Sequence, residues 1–344
     1  MMKCKFVIGF LFLIASLFSC SDNDVETTLA GEWRNEGESV FLGNVLPEYL
    51  EYINDGVSFK IGGEVYVGVG NMFSRVDNGE GDFHVDRFPG AARKGAVAFV
   101  IGTKAYVGLG YSSAGGKEVY YDDFWVYDGE KRCWEPELLS FPFPGGARSN
   151  AVAFCLGNTA YVGTGRYERE SLSDFYTFEP EKGWKKFTSI AERHVVYGAV
   201  AFVADGCAYM CTGGRLLEPL EGDKMNYYLF VGMLKLSPGS DQWEPLGPFD
   251  GEEGMSDIRR IHASCFVLNR GGKDYAYIVS GANKYNRPLA SVMEFNPRKE
   301  KWQEVAYLPE PTVKGVGFTL DGKEGFVTVD RDLGKYWTLW KFKR

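Results

Sequence analysis

Along most of the chain, apolar and polar residues alternate in short runs separated by glycine-containing turns. The stretch VSFKIGGEVYVGVG at residues 57–70 sets the pattern: alternation, a turn at Gly62-Gly63, a second alternating run and a closing glycine. Successive strand residues point to opposite faces, so this pattern predicts a hairpin. It returns as AVAFVIGTKAYVGLG (96–110) and AVAFCLGNTAYVGTG (151–165), with looser copies at 199–214, 263–282 and 316–329. The second-strand aromatics Tyr66, Tyr106, Tyr161, Tyr209, Tyr277 and Phe326 fall at spacings of 40, 55, 48, 68 and 49 residues.

Each unit continues with a polar-to-aromatic strand such as DFWVYD (123–128), DFYTFE (174–179) or SVMEFN (291–296). A fourth strand follows, marked by Trp134, Trp184, Trp243 or Trp302, with Phe83 in that place in the first unit. Four short strands per repeat of about 50 residues predict an all-β propeller. The sixth unit has its third strand at YWTLW (336–340), and Arg344 leaves no room for a fourth. The segment GEWR (31–34), whose Trp33 matches the marker tryptophans, supplies that strand, so six blades are expected, closed by an N-terminal strand.

Over residues 31–344 the chain resembles the kelch-repeat family, and bacterial kelch lipoproteins in segments such as FPGGARSNAVAF (143–154). The family's double glycine survives as Gly213-Gly214 and elsewhere reads Val-Gly-x-Gly or Ser-Gly-Ala. The resemblance implies a six-bladed kelch-type β-propeller, related in fold to the galactose oxidase central domain and to N-acetylneuraminate epimerase.

Composition agrees. With 45% hydrophobic and 15% aromatic residues the chain can bury a core, which excludes a disordered polymer. The balance of 38 basic against 46 acidic residues excludes nucleic acid as a partner, because a phosphate backbone is held by surplus cations. At the N-terminus, Lys3 and Lys5 precede an apolar run at 6–18, too short to span a bilayer and suited to a signal peptide. The stretch LFSC (17–20) resembles a lipobox, so residues 1–19 are expected to be removed and Cys20 lipidated. Residues 20–30 then form a tether, and the lipid is the expected membrane contact, in a bacterial outer membrane facing periplasm or exterior. Cys133, Cys155, Cys207, Cys211 and Cys265 remain, an odd number without metal-like spacing.

Loops leading into each first strand and loops joining strands two and three share one face. The long insertions at 111–121, 215–226 and 247–257 all fall there. Arg93, Arg148 and Arg260 each stand six residues before the aromatic of a first strand, at equivalent places expected to line the channel mouth. Arg193, Arg166, Arg215, Tyr111, His194 and His262 join them on that face, whereas His84 sits on an outer strand. A cationic mouth on a protein of net charge −8 suits a small acidic sugar, a glycan or an acidic protein segment. The competing structural reading pairs the repeated arginines with carboxylates and carbonyls of their own blades. No metal or cofactor is expected, because no ligand spacing surrounds the histidines. Resemblance to sialic acid mutarotases implies a second possibility, anomer exchange by loop carboxylates (Glu218, Glu221 and Asp223) with Arg215 holding the substrate. Binding without chemistry and mutarotation both stay open at this level.

Overall fold

The computed structural model describes residues 30–39, 55–76, 85–113, 117–217, 227–247, 258–331 and 336–344. The expected signal segment, Cys20, His84, Phe83 and the loop acids Glu218, Glu221 and Asp223 lie outside them. Six four-stranded antiparallel sheets follow one another along the chain. Blade 1 comprises Val57–Ile61, Glu64–Val69, Met72–Val76 and Val85–Arg87. Blade 2 comprises Val97–Ile101, Lys104–Gly108, Phe124–Asp128 and Cys133–Trp134. Blade 3 comprises Val152–Leu156, Thr159–Gly163, Phe175–Glu179 and Gly183–Phe187. Blade 4 comprises Val200–Ala204, Cys207–Cys211, Met233–Leu236 and Glu244–Leu246. Blade 5 comprises Ser264–Arg270, Lys273–Val279, Ser291–Asn296 and Lys301–Tyr307. Blade 6 takes Gly317–Thr319, Gly325–Arg331 and Tyr336–Lys343 from the C-terminus and its outer strand, Glu32–Ser39, from the N-terminus. First strands of neighbouring blades lie side by side, blade 1 against blade 6 included, so the ring is closed.

One aromatic pair recurs in each blade. The first-strand phenylalanine stands opposite the second-strand marker, and the two rings stack: Phe59 on Tyr66, Phe99 on Tyr106, Phe154 on Tyr161, Phe202 on Tyr209, Phe266 on Tyr277 and Phe318 on Phe326. Centroid separations of 5.0 to 5.4 Å lie in the favourable range for aromatic pairs. The marker tryptophan of the following blade meets this stack edge-on, as Trp134 does Phe59, Trp184 Phe99 and Trp243 Phe154. The tryptophans therefore join blade to blade. The first glycine of Val-Gly-x-Gly instead makes room within a blade, since a Cβ at Gly163 would overlap the Phe175 ring of the third strand.

The lead-in loops complete the ring at the channel mouth. Asp55 donates its backbone N–H to the Lys314 carbonyl, Gly95 to Asp55, Asn150 to Gly95, Gly198 to Asn150, His262 to Gly198 and Lys314 to His262, at 2.8 to 3.3 Å. Each blade gives one bond and receives one. All six residues have φ between +51° and +74°, the left-handed region that turns each loop inward. Gly95 and Gly198 occupy it freely, while Asp55, Asn150, His262 and Lys314 hold it against steric cost. At the rim, backbone pairs Lys94–Tyr111, Ser149–Arg166, Tyr197–Gly214 and Ile261–Ala282 tie the lead-in loops of blades 2 to 5 to the loop between strands two and three of the same blade, which places both loop sets on one face.

Closure is completed by Trp33, opposite Phe342 in register, with ring centroids 5.0 Å apart, and by the Gly31 N–H donated to Val305 of blade 5. Deleting residues 31–35 exposes the Phe342 edge and should lower the melting temperature on the order of 10 °C by circular dichroism; an unchanged melt would contradict a closing role.

Candidate functional site

The lead-in arginines are where the sequence placed them in the chain, but their heads turn inward. Arg148 and Arg260 are fully buried and Arg93 nearly so. The Arg148 guanidinium reaches both Asp174 oxygens, at 2.6 and 3.0 Å, and the Thr164 carbonyl. Arg93 forms the same fork with Asp123 and lies against the faces of Phe88 and Tyr121. Arg260 donates to the carbonyls of Ser280 and Ser291 and to the Ser291 hydroxyl. Each arginine binds its blade's lead-in loop to the residues opening its third strand. The expectation that these three face a ligand is corrected, because a buried guanidinium must satisfy its own donors.

Two residues further along each loop the side chains do face the channel. Asp55, Asn150, His262 and Lys314 line a polar cavity of about 130 Å³, together with Gly95, Gly198 and the small residues that follow each. The Lys314 Nζ lies 2.8 Å from Asp55 Oδ2, and Asn150 Nδ2 donates to both Asp55 oxygens at 3.0 and 2.9 Å. Burial disfavours the Asp55 carboxylate, yet the Lys314 ammonium and these hydrogen bonds hold it below the usual carboxylate range. Burial, with the Lys314 charge, pushes the His262 imidazole down to about 3, so the ring is neutral. The two glycines are what let these side chains in. A Cβ at Gly95 would come within 2.8 Å of the Asn150 amide, and one at Gly198 within 2.7 Å of the His262 ring.

Above the cavity stands Arg166, the predicted cation that remains near the centre. Its guanidinium lies 5.4 Å from the Tyr111 ring, 5.5 Å from Tyr197 and 5.9 Å from Tyr120. Glu118 pairs with it at 3.2 Å and accepts the Tyr120 hydroxyl at 2.5 Å. Its charge also acts on His262 and Lys314 below. The Tyr197 ring packs edge-on against His262 at 5.7 Å, and burial raises its hydroxyl far above the usual range. Tyr111 is buried under the Lys94 ammonium, 5.2 Å from its centroid.

The other predicted residues gather on blade 4. Arg193 is exposed and donates to His194, whose imidazole is held down by burial and by that arginine. Arg215 lies over Tyr228 at 4.9 Å. Asp55, Glu118, Asn150, Tyr120, Tyr197 and Lys314 went unrecognised in the sequence. For Asp55 and Asn150 the signal was positional: five of the six blades carry the ring residue two places before the first strand. No group of histidines, cysteines or carboxylates among the described residues is arranged to hold a metal.

No protein-family model matches the chain. Over 112 residues it is 32% identical to N-acetylneuraminate epimerase of Vibrio cholerae serotype O1, a stretch of 30% of this chain and 29% of that protein. The match thus spans under a third of the relative's length. The solved structure of YjhT superposes with a TM-score of 0.64, over 86% of this chain and 95% of that one, at 16% identity. The fold is a six-bladed β-propeller. Within this propeller, the repeated arginine belongs to the scaffold and the ring residue to the channel.

Two outcomes separate those roles. Replacing Arg148 by alanine strands Asp174 and should destabilise the propeller by about 3–5 kcal/mol in urea unfolding, whereas Arg166→Ala should change stability by about 1 kcal/mol or less. Acid sensitivity should come in part from the channel: an unfolded histidine protonates near pH 6.5, but His262 in the fold only near 3. Its contribution is complete above pH 6.5 and is lost as pH falls towards 3. In His262→Gln, the fall in melting temperature over that window should be shallower than in the wild type.

Proposed function

We propose that the mouth of the propeller channel binds a small sugar acid, its carboxylate on Arg166 and its hydroxyl groups on the polar cavity beneath. The observation carrying this reading is Arg166 packed among Tyr111, Tyr120 and Tyr197 at the rim of that cavity. A guanidinium forks onto a carboxylate, and the tyrosines lower the local dielectric and exclude water. Asp55, Asn150, Lys314 and neutral His262 bring both donors and acceptors, which suits hydroxyls better than a second anion. Lipidation at Cys20 would hold the propeller at the outer membrane, within reach of envelope or extracellular glycans.

A second reading, anomer exchange of the bound sugar, draws support from the likeness to N-acetylneuraminate epimerase. Opening a hemiketal ring needs a proton taken from the anomeric hydroxyl and one delivered to the ring oxygen. In the cavity, Asp55 is an acceptor and Lys314 a donor, already joined by a hydrogen bond.

Calorimetric titration with N-acetylneuraminate tests the first reading: Arg166→Ala should weaken binding about 10- to 100-fold, the loss of one charge-assisted contact. Affinity unaffected by that substitution would overturn it. NMR of anomer exchange on the same samples decides the second, which requires an acceleration that Asp55→Asn removes.

A further inference from the structure

The central cavity is small for the ligand assigned to it. Small-molecule sites usually enclose roughly 300–1,000 Å³, and about 130 Å³ holds only part of a sugar. The ligand must extend outward, and a second concavity of about 610 Å³ opens beside the mouth. Its one wall is the hairpin pairing Arg166–Tyr167 with Glu170–Ser171, which also carries Arg166, and the other is the Gly214–Leu216 strand of blade 4. Arg169 and Arg215 both line it, together with Ser171, Ser173, Glu192 and the buried Ile190. Among the described residues no carboxylate pairs with Arg169 or Arg215. Tyr167 and Tyr228, 45% and 36% exposed, lie on the two flanking hairpins.

We propose that this groove is a second subsite, and that the ligand of the propeller is an acidic oligosaccharide of two or more units running from Arg166 into it. The proposal rests on the sugar-acid reading of the mouth. Two arginines give the next acidic unit its counter-charge, while Ser171, Ser173 and the Glu192 carboxylate exchange hydrogen bonds with hydroxyls. Exposed tyrosine faces pack against the apolar side of a pyranose, and their phenol groups stay wet. An acidic peptide would satisfy the arginines but leave the hydroxyl-matching groups idle. One hairpin carries Arg166 at the mouth and Arg169 and Ser171 at the groove, so a ligand engaging both binds the second intramolecularly and gains affinity.

The test compares N-acetylneuraminate with its α2,8-linked trimer by calorimetry, on wild type and on Arg169→Ala/Arg215→Ala with a matched thermal melt. The trimer should bind wild type at least tenfold more tightly than the monomer, and the double variant should bring the ratio close to one. Monomer binding that needs Arg166 but no gain for the trimer overturns the groove alone. Trimer binding that ignores Arg166 but needs Arg169 and Arg215 overturns the reading of the mouth. A hexaglutamate peptide binding as tightly as the trimer, with the same arginine dependence, overturns the glycan assignment in favour of a peptide.

Discussion

Six backbone hydrogen bonds, running in a circle from Asp55 through Lys314, hold the lead-in loops at the channel mouth. A circle has no end at which to fray, so each bond is supported by both neighbours. The left-handed backbone at every one of its residues follows from this constraint, because a loop must turn sharply inward to offer both its N–H and its carbonyl to the ring. The polar lining of the channel is hung on that turn. At Arg93, Arg148 and Arg260 the side chain two residues earlier is driven into the blade, while Asp55, Asn150, His262 and Lys314 on the turn are driven into the channel.

This geometry explains why the repeated arginines misled as site candidates while being read correctly as a repeat. Equivalent residues at equivalent places are what a scaffold produces, since each blade poses the same packing problem. Arg93 and Arg148 solve it with Asp123 and Asp174, and Arg260 with Ser291 and carbonyl oxygens. The residues that differ from blade to blade carry the individuality of the mouth. Aspartate, glycine, asparagine, glycine, histidine and lysine in six equivalent positions form no repeat, and a search for periodicity passes over them.

The fold itself was legible to the level of strand order and closure. Alternation at period two and the recurring phenylalanine–tyrosine register specified the blades, and the orphaned Trp33 specified where the last strand came from. Two things were hidden. The small hairpins pairing 111–112 with 119–120, 166–167 with 170–171 and 214–216 with 227–229 looked like loops, since strands of two or three residues carry too little alternation to register. The cavity was hidden for a deeper reason: Asp55 and Lys314 stand at opposite ends of the sequence and meet only because the ring closes.

The cluster beneath Arg166 also joins blades that are not adjacent. Asp55 of blade 1 takes Lys314 from blade 6 on one side and, reaching over the vacant place at Gly95, Asn150 from blade 3 on the other. That contact measures the circumference. A seventh blade, or a lost one, would keep the aromatic stack within each blade, yet would change the channel width that Asn150 spans to reach Asp55. The polar cluster is thus fitted to a ring of six, and duplication of a repeat, otherwise so easy in such an architecture, would loosen the amide contact that spans it.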